Sequence, residues 1–293
     1  MAGLLDKDNQ PLSGDRLAQH IETALAIEPA ATRTGSLGYQ VLKKLFRPVV
    51  FGAENLPASP ALYIGNHSLF ALDTLVLWPL MQAELNIFAR PMADKLFFNA
   101  GPVGDALLKR GLVMGHPAVC EALMREGQDI LLYPGGAHEA VKPERDRYQL
   151  LWKERYGFIR LAAKHGYTIV PVAMVGPDEF YDYLYDGEEL PDTKLGSLLR
   201  RLGVLTDNTR PDLLPPLPMG ALSSLFPKLQ RCLVSFGKPL DLSRYKGRVP
   251  AKAQQKKLRQ QVADEIESEI ARLLVERERL QHQDGLLRRI FRA

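Results

Sequence analysis

His67 and Asp73 are the residues whose types and spacing best suit chemistry. They lie in Gly65-Asn66-His67-Ser68-Leu69-Phe70-Ala71-Leu72-Asp73, where the histidine closes a short apolar run and the aspartate follows six residues later. An imidazole is the commonest general base near neutral pH, and a carboxylate is the usual group that orients it. On one continuous helix, residues six apart point about 120° away from each other. The pair therefore meets only if His67 sits in the turn before a helix and Asp73 lies one turn inside it, with Ser68 as a fitting N-cap. A second polar island, Tyr133-Pro134-Gly135-Gly136-Ala137-His138-Glu139, also follows a short apolar run. Paired glycines allow close approach of a ligand and offer N–H groups to an oxyanion. Glu139 adds a group suited to an acceptor hydroxyl.

No protein nucleophile accompanies the pair. There is no Gly-x-Ser-x-Gly elbow, and Cys120 and Cys232 stand in no catalytic context. A base without a nucleophile of its own implies that the second substrate attacks, as in direct acyl transfer to an alcohol.

The elements that must position these residues alternate between short apolar runs and helical stretches. Strands are predicted at 61–64, 86–89, 111–114, 129–133, 168–174 and 231–236. Helices are predicted at 69–81, 117–126 with Pro117 in its first turn, and 156–165 with a stop at Gly166, with a helical turn at 105–109. This rhythm predicts an α/β fold, a mostly parallel sheet flanked by helices. Strand ends are where such folds place ligands. Pro171 within 168–174 suggests an edge, a bulge or a strand end.

Amphipathic helices are expected at both termini. Residues 11–28 carry Leu17, Ile21, Leu25 and Ile27 near helical spacing. Residues 251–281 carry Leu258, Val262, Ile266, Ile270, Leu273 and Leu274 on one face. The apolar stretch 36–52 bears Lys43, Lys44 and Arg47, and the tail 286–292 is short, basic and amphipathic, so both suit either a packed surface or an anionic lipid surface. The proline- and leucine-rich stretch 205–229 is expected to be irregular, as a surface connection, a cover over an apolar pocket or a membrane-touching loop.

At 293 residues the chain has room for a sizeable core, and its apolar content of 46% and charged content of 25% are those of a globular protein. A net charge of +4 gives no reason to expect a nucleic-acid partner. Two distant cysteines suggest no disulfide framework and a reducing, cytoplasmic setting. Residues 1–10 do not read as a signal peptide. No run approaches the roughly 18 apolar residues of a spanning helix. Peripheral attachment to a membrane surface is the expectation.

The motifs together resemble the glycerolipid acyltransferase superfamily. Asn66-His67 with Asp73, Tyr133-Pro-Gly-Gly136 and Ile169-Val-Pro-Val172 stand in its order over roughly residues 50–245. Pro134-Gly-Gly-Ala-His-Glu-Ala140, Arg155-Tyr-Gly-Phe-Ile-Arg-Leu-Ala162, His165-Gly166 and Phe236-Gly-Lys-Pro-Leu240 are similar to one branch, the type-two diacylglycerol acyltransferases and plant phytyl ester synthases. The resemblance implies an N-terminal helical segment (1–50), an acyltransferase domain (51–245) and a C-terminal helical extension (246–293). It implies catalytic roles for His67 and Asp73. Substrate contacts would come from Asn66, Gly135, Gly136, Ala137, His138, Glu139 and Pro171. It implies no metal and no cofactor beyond an acyl thioester co-substrate, acyl-CoA or acyl-carrier protein.

Departures from the family pattern bear on the acceptor. His67 and Asp73 are separated by five residues where phosphate-using relatives have four. His138 stands where those relatives have an arginine, and Gly115-His116 follows Gly111-Leu-Val-Met114 where another is common. Without arginines suited to a phosphate, the expected acceptor is a neutral alcohol such as mono- or diacylglycerol. The chain also has His67-Ser68 rather than a His-Pro-His-Gly motif. Two rivals remain: a lysophosphatidate acyltransferase using Lys95, Lys109 or Arg110, and a non-catalytic lipid-binding protein on the same scaffold.

Overall fold

The computed structural model describes residues 14–28, 37–94, 98, 102–201 and 214–292. Lys95, and residues 205–213 of the proline-rich stretch, lie outside the described residues. The strands are β1 (Val49–Phe51), β2 (Ala61–Gly65), β3 (Arg90–Ala93), β4 (Val113–Met114), β5 (Ile130–Leu132), β6 (Thr168–Val175), β7 (Asp182–Tyr185), β8 (Leu217–Met219), β9 (Leu233–Phe236) and β10 (Leu240–Asp241). The helices are α1 (Gly14–Leu25), α2 (Leu37–Phe46), α3 (Leu72–Leu85), α4 (Pro102–Lys109), α5 (Pro117–Arg125), α6 (Ala137–Ala140), α7 (Gly157–His165), α8 (Lys194–Arg201), α9 (Lys252–Gln281) and α10 (Leu286–Arg292).

The main sheet runs β1-β9-β6-β2-β5-β3-β4, and β10 pairs with β6. Only the pairings of β6 with β9 and β10 are antiparallel in it. All five residues of β2 are buried, because helices cover both faces. Successive side chains on a strand point to opposite faces. Accordingly, Leu62, Ile64, Ile169 and Ala173 join the core under α5, α7 and α9, while Ala61, Tyr63, Val170, Val172 and Met174 join the one under α2 and α3.

The register fixes which ends of the strands lie together. β2 and β6 are parallel, Val175 at the end of β6 pairs with Leu233 at the start of β9, and Leu233 pairs with Val49 at the start of β1. The end of β2, the end of β6 and the starts of β9 and β1 therefore share one end of the sheet.

Several sequence expectations change. Asn86 is not in a strand: it caps α3 with a left-handed φ of 55°, and β3 starts at Arg90. The apolar run 86–89 was deceptive because it is the exit from a helix. Pro171 is at no edge or strand end; it sits buried inside β6, paired with Ile64. On the other side of β6 the partner changes from β9 to β10 beside it, and Gly237 N–H donates to the Pro171 carbonyl at 2.8 Å. The missing N–H of proline thus falls at a break in the ladder. Residues 217–219 of the stretch expected to be irregular form β8, paired with β7.

Arg90 is fully buried with no carboxylate partner among the described residues. Its guanidinium donates to the Gly111 carbonyl (2.9 Å), Gln128 Oε1 (2.7 Å) and the Ala24 carbonyl near the end of α1 (2.8 Å). Burial lowers its pKa to about 10. A cation at a helix C-terminus is favoured by the aligned peptide dipoles.

Candidate active site

His67 stands two residues beyond the end of β2, and Asp73 lies in the first turn of α3. Between them Phe70 and Ala71 both take left-handed backbone angles, with φ of 53° and 59°. Such angles are strained for residues with a Cβ. They turn the chain sharply, so that α3 begins only at Leu72 and its first turn faces back to His67. Ser68 fastens this turn reciprocally: its hydroxyl accepts from Asp73 N–H at 2.9 Å, and its own N–H donates to Asp73 Oδ2.

His67 Nδ1 lies 2.8 Å from Asp73 Oδ2, and both side chains are buried. Burial alone would raise the Asp73 carboxyl, but the His67 imidazole and the donors of Ser68 and Thr74 hold it below its usual range. An ionised carboxylate only accepts, so Nδ1 carries the hydrogen and Nε2 is the acceptor. Among the described residues Nε2 has no hydrogen-bond partner. The Tyr133 ring stacks on the imidazole, with centroids 4.1 Å apart and planes at 12°. Gly65 makes room for it: a Cβ there would come within 2.9 Å of that ring.

β2 and β5 are parallel with Ile64 beside Leu132, which brings the turn after β5 alongside His67. Gly136, with φ of 53°, donates its N–H to the Tyr133 carbonyl. That N–H is therefore occupied, contrary to the expectation that both glycines offer one. Gly135 and Ala137 N–H have no acceptor among the described residues. Arg155 holds the turn from outside, donating to the carbonyls of Pro134 (2.6 Å) and Gly135 (2.8 Å).

The other expected substrate contacts divide. Asn66 is buried and uses its side chain on Met174, accepting from the N–H at 2.8 Å and donating to the carbonyl at 3.0 Å. It extends the β2–β6 ladder instead of facing a ligand. Pro171 shares the face of Ile169 and Ala173, opposite to the Tyr133 face. Glu139 is fully buried beneath Gly135, where a Cβ would come within 2.1 Å of its carboxyl. Its Oε1 accepts from Leu151 N–H at 2.8 Å and its Oε2 has no partner. Burial, chiefly, raises its pKa to about 7, against the pull of Lys142. Glu139 thus supports the turn and does not reach an acceptor. His138 is partly exposed, with Nε2 at 3.1 Å from Lys153 Nζ.

Sequence reasoning missed Lys142 and Asp178. Both are buried, and Lys142 Nζ lies 2.8 Å from the His67 carbonyl and 2.8 Å from Asp178. Asp178 follows the end of β6, so the strand-end rule that found His67 and Gly135 would also have found it. A cleft of about 400 Å³ lies beside Lys142, lined by Val141, Leu150, Leu151, Leu214 and His138, among others; His67 does not line it. Both cysteines are buried, and burial raises the Cys120 thiol to about 12 and the Cys232 thiol further, so neither is poised for attack.

A family model described as Acyltransferase matches residues 47–175, a span holding both strand-end motifs. Phytyl ester synthase 2, chloroplastic, of Arabidopsis thaliana is 29% identical over 259 residues, 84% of this chain and 37% of its own length. Phytyl ester synthase 1 of the same plant is 30% identical over 248 residues, 78% of this chain and 34% of its own. Diacylglycerol O-acyltransferase 2 of Dictyostelium discoideum is 29% identical over 150 residues, covering 48% and 43%. Residues 47–175 thus match the acyltransferase family, and the chain is similar over most of its length to the two phytyl ester synthases. It spans about a third of the length of the phytyl ester synthases it matches.

Proposed function

We propose that the protein is an O-acyltransferase that moves a fatty acyl group from a thioester to the hydroxyl of a neutral lipid alcohol, such as mono- or diacylglycerol or a long-chain alcohol. The observation that carries this reading is the buried His67–Asp73 pair, with Nε2 open and, among the described residues, no serine or cysteine bonded to it. His67 Nε2 takes the proton of the acceptor hydroxyl as its oxygen attacks the thioester carbonyl carbon. Asp73 holds the ring and stabilises the imidazolium. Gly135 and Ala137 N–H groups support the oxyanion. Collapse breaks the C–S bond, and the thiolate leaves with the proton held by His67.

The neutral acceptor is favoured by the residues at the positions where an arginine would bind phosphate. His116 is occupied as the cap of α5, accepting from Ala118 N–H at 3.1 Å, and His138 lies against Lys153. The relatives named for phytyl esters and diacylglycerol agree with this choice.

The test is one assay with labelled palmitoyl-CoA and a panel of diacylglycerol, monoacylglycerol, a long-chain alcohol and lysophosphatidate, with His67→Ala alongside. Label entering a neutral ester and disappearing in the variant is expected. Label entering only phosphatidate overturns the acceptor class. Lipid binding without any ester, with acyl-carrier protein tried as donor, overturns the enzyme reading.

A further inference from the structure

Three stretches of the chain carry no acidic residue although the chain holds 34: residues 37–53, 214–240 and 285–292. They hold nine basic residues: Lys43, Lys44, Arg47, Lys228, Arg231, Lys238, Arg288, Arg289 and Arg292. Far apart in sequence, they meet in space. Arg288 on α10 donates to the carbonyl of Leu229 (2.8 Å) and to those of Lys44 (3.1 Å) and Leu45 (2.7 Å) at the end of α2. Leu229 N–H donates to the Phe291 carbonyl at 3.0 Å, and the Phe226 and Phe291 rings meet edge to face. Asp284, just before α10, is the acidic centre of the junction. Arg231 holds it at 2.7 Å, and Arg47, Arg288 and Arg292 stand within 3.7 Å. One carboxylate among four guanidiniums leaves a large positive excess, and Arg47 keeps half of its side chain in solvent.

The elements that meet here also expose apolar side chains that no described residue covers. Leu37 on α2 is 81% exposed, Leu225 is 76%, and Leu286 and Leu287 on α10 are 75% each; Leu222 is also exposed. Leu222 and Ser223 have left-handed backbone angles, and Ala221 N–H donates to the Phe226 carbonyl at 2.8 Å, so the loop is a tight turn that leaves Leu222 and Leu225 in solvent. Lys43 and Lys228 have carboxylate partners of their own, Glu84 and Asp182, but the four arginines share Asp284 alone. Single exposed leucines are ordinary, but several set beside basic residues that outnumber their carboxylates mark an interaction surface. The starts of β1 and β9, which α2 and the 226–232 segment lead into, lie at the sheet end that carries His67.

We propose that α2, the 221–226 loop and α10 form a docking face for an anionic phospholipid bilayer. The leucines enter the boundary between headgroups and acyl chains, and Arg47, Arg289 and Arg292 lie among the lipid phosphates. A spanning segment is not involved, since no helix among the described residues is long and apolar enough to cross a membrane. A membrane is favoured over a second copy of the chain because this face repels its like by charge.

The test is co-sedimentation of the whole protein with vesicles of phosphatidylcholine alone and of phosphatidylcholine mixed with phosphatidylglycerol. Binding to the mixed vesicles, weakening with salt, is expected. Leu286→Asp with Leu287→Asp, and Leu222→Asp with Leu225→Asp, should each weaken partition roughly tenfold or more. Arg47→Gln and Arg292→Gln should each weaken it roughly fivefold. The four leucines are solvent-exposed, so their variants should melt as the parent does. Equal binding of parent and variants, or no preference for anionic vesicles, overturns the proposal. So does concentration-dependent dimerisation that the leucine variants abolish. His67→Ala should bind vesicles as the parent does, so failure of docking and failure of the acyl-transfer reading are separately visible.

Discussion

Lys142 donates from its fully buried ammonium to the main-chain carbonyl of His67, at 2.8 Å, while the His67 ring keeps a tenth of its surface open. The same ammonium is paired with Asp178, also at 2.8 Å. The base of the site is thus fixed by its ring, through Asp73, and also by its backbone. Removing one member of a buried pair leaves an uncompensated charge. Lys142→Met is expected to lose about 3–5 kcal/mol in urea unfolding. Adding Asp178→Asn should recover much of that stability but not turnover, because the His67 carbonyl still lacks its donor. Recovery of both would make Lys142 merely structural.

His67→Ala and Asp73→Asn are each expected to lower kcat about 100- to 10,000-fold. Asn in place of Asp73 also presents a donor to Nδ1, favouring the wrong tautomer. Circular dichroism should show the fold retained, and wild-type turnover in either variant would remove the pair from the mechanism.

Glu139 gives a pH dependence of known sign. Its pKa in the folded protein is raised to about 7 from an ordinary 4.5. The fold therefore favours its protonated form. That contribution is complete below pH 4.5 and is lost as pH rises to about 7, above which the protein holds a buried, half-partnered carboxylate. Glu139→Gln keeps an acceptor for Leu151 N–H and cannot ionise. At pH 8 it should be more stable than the parent by about 3 kcal/mol, and the gap should shrink to about 1 kcal/mol by pH 5. Melting curves at the two pH values measure it.

Gly135→Ala should destabilise by about 1–3 kcal/mol, since its Cβ would overlap the Glu139 carboxyl. Combining it with Glu139→Ala should restore most of the loss. Non-additivity in the double-mutant cycle is the readout, and simple addition would mean that the turn moves freely.

The fold was readable where local pattern and burial agree. Ala61-Leu-Tyr-Ile is a strand because both of its faces are covered, and α7 stops at Gly166 because the chain there turns left-handed, with φ of 69°. The sequence misled where an apolar run served another purpose, as at Asn86–Ala89, and where a proline met a gap in its neighbour's ladder. In the site, the spacing of His67 and Asp73 implied the contact. The left-handed Phe70 and Ala71 that make it possible left no trace, because neither residue type favours that conformation. With Asn66, His67, Glu139 and Pro171 all buried, side-chain partners and facing separate the motif residues into two groups that sequence order could not separate. Asn66, Glu139 and Pro171 brace the scaffold, while His67 keeps a nitrogen open.

Arg90 ties the first helix to the body more tightly than its position near the start of the chain suggests. The carbonyl of Ala24 is one of three neutral acceptors holding that charge, and His20 on the same helix receives Met114 N–H at 3.3 Å. α1 therefore works as a plug. A chain lacking residues 14–25 would open a water path to a guanidinium seated in the core. Its melt is expected to lose cooperativity as a whole, where trimming of a loosely held arm would leave the transition sharp.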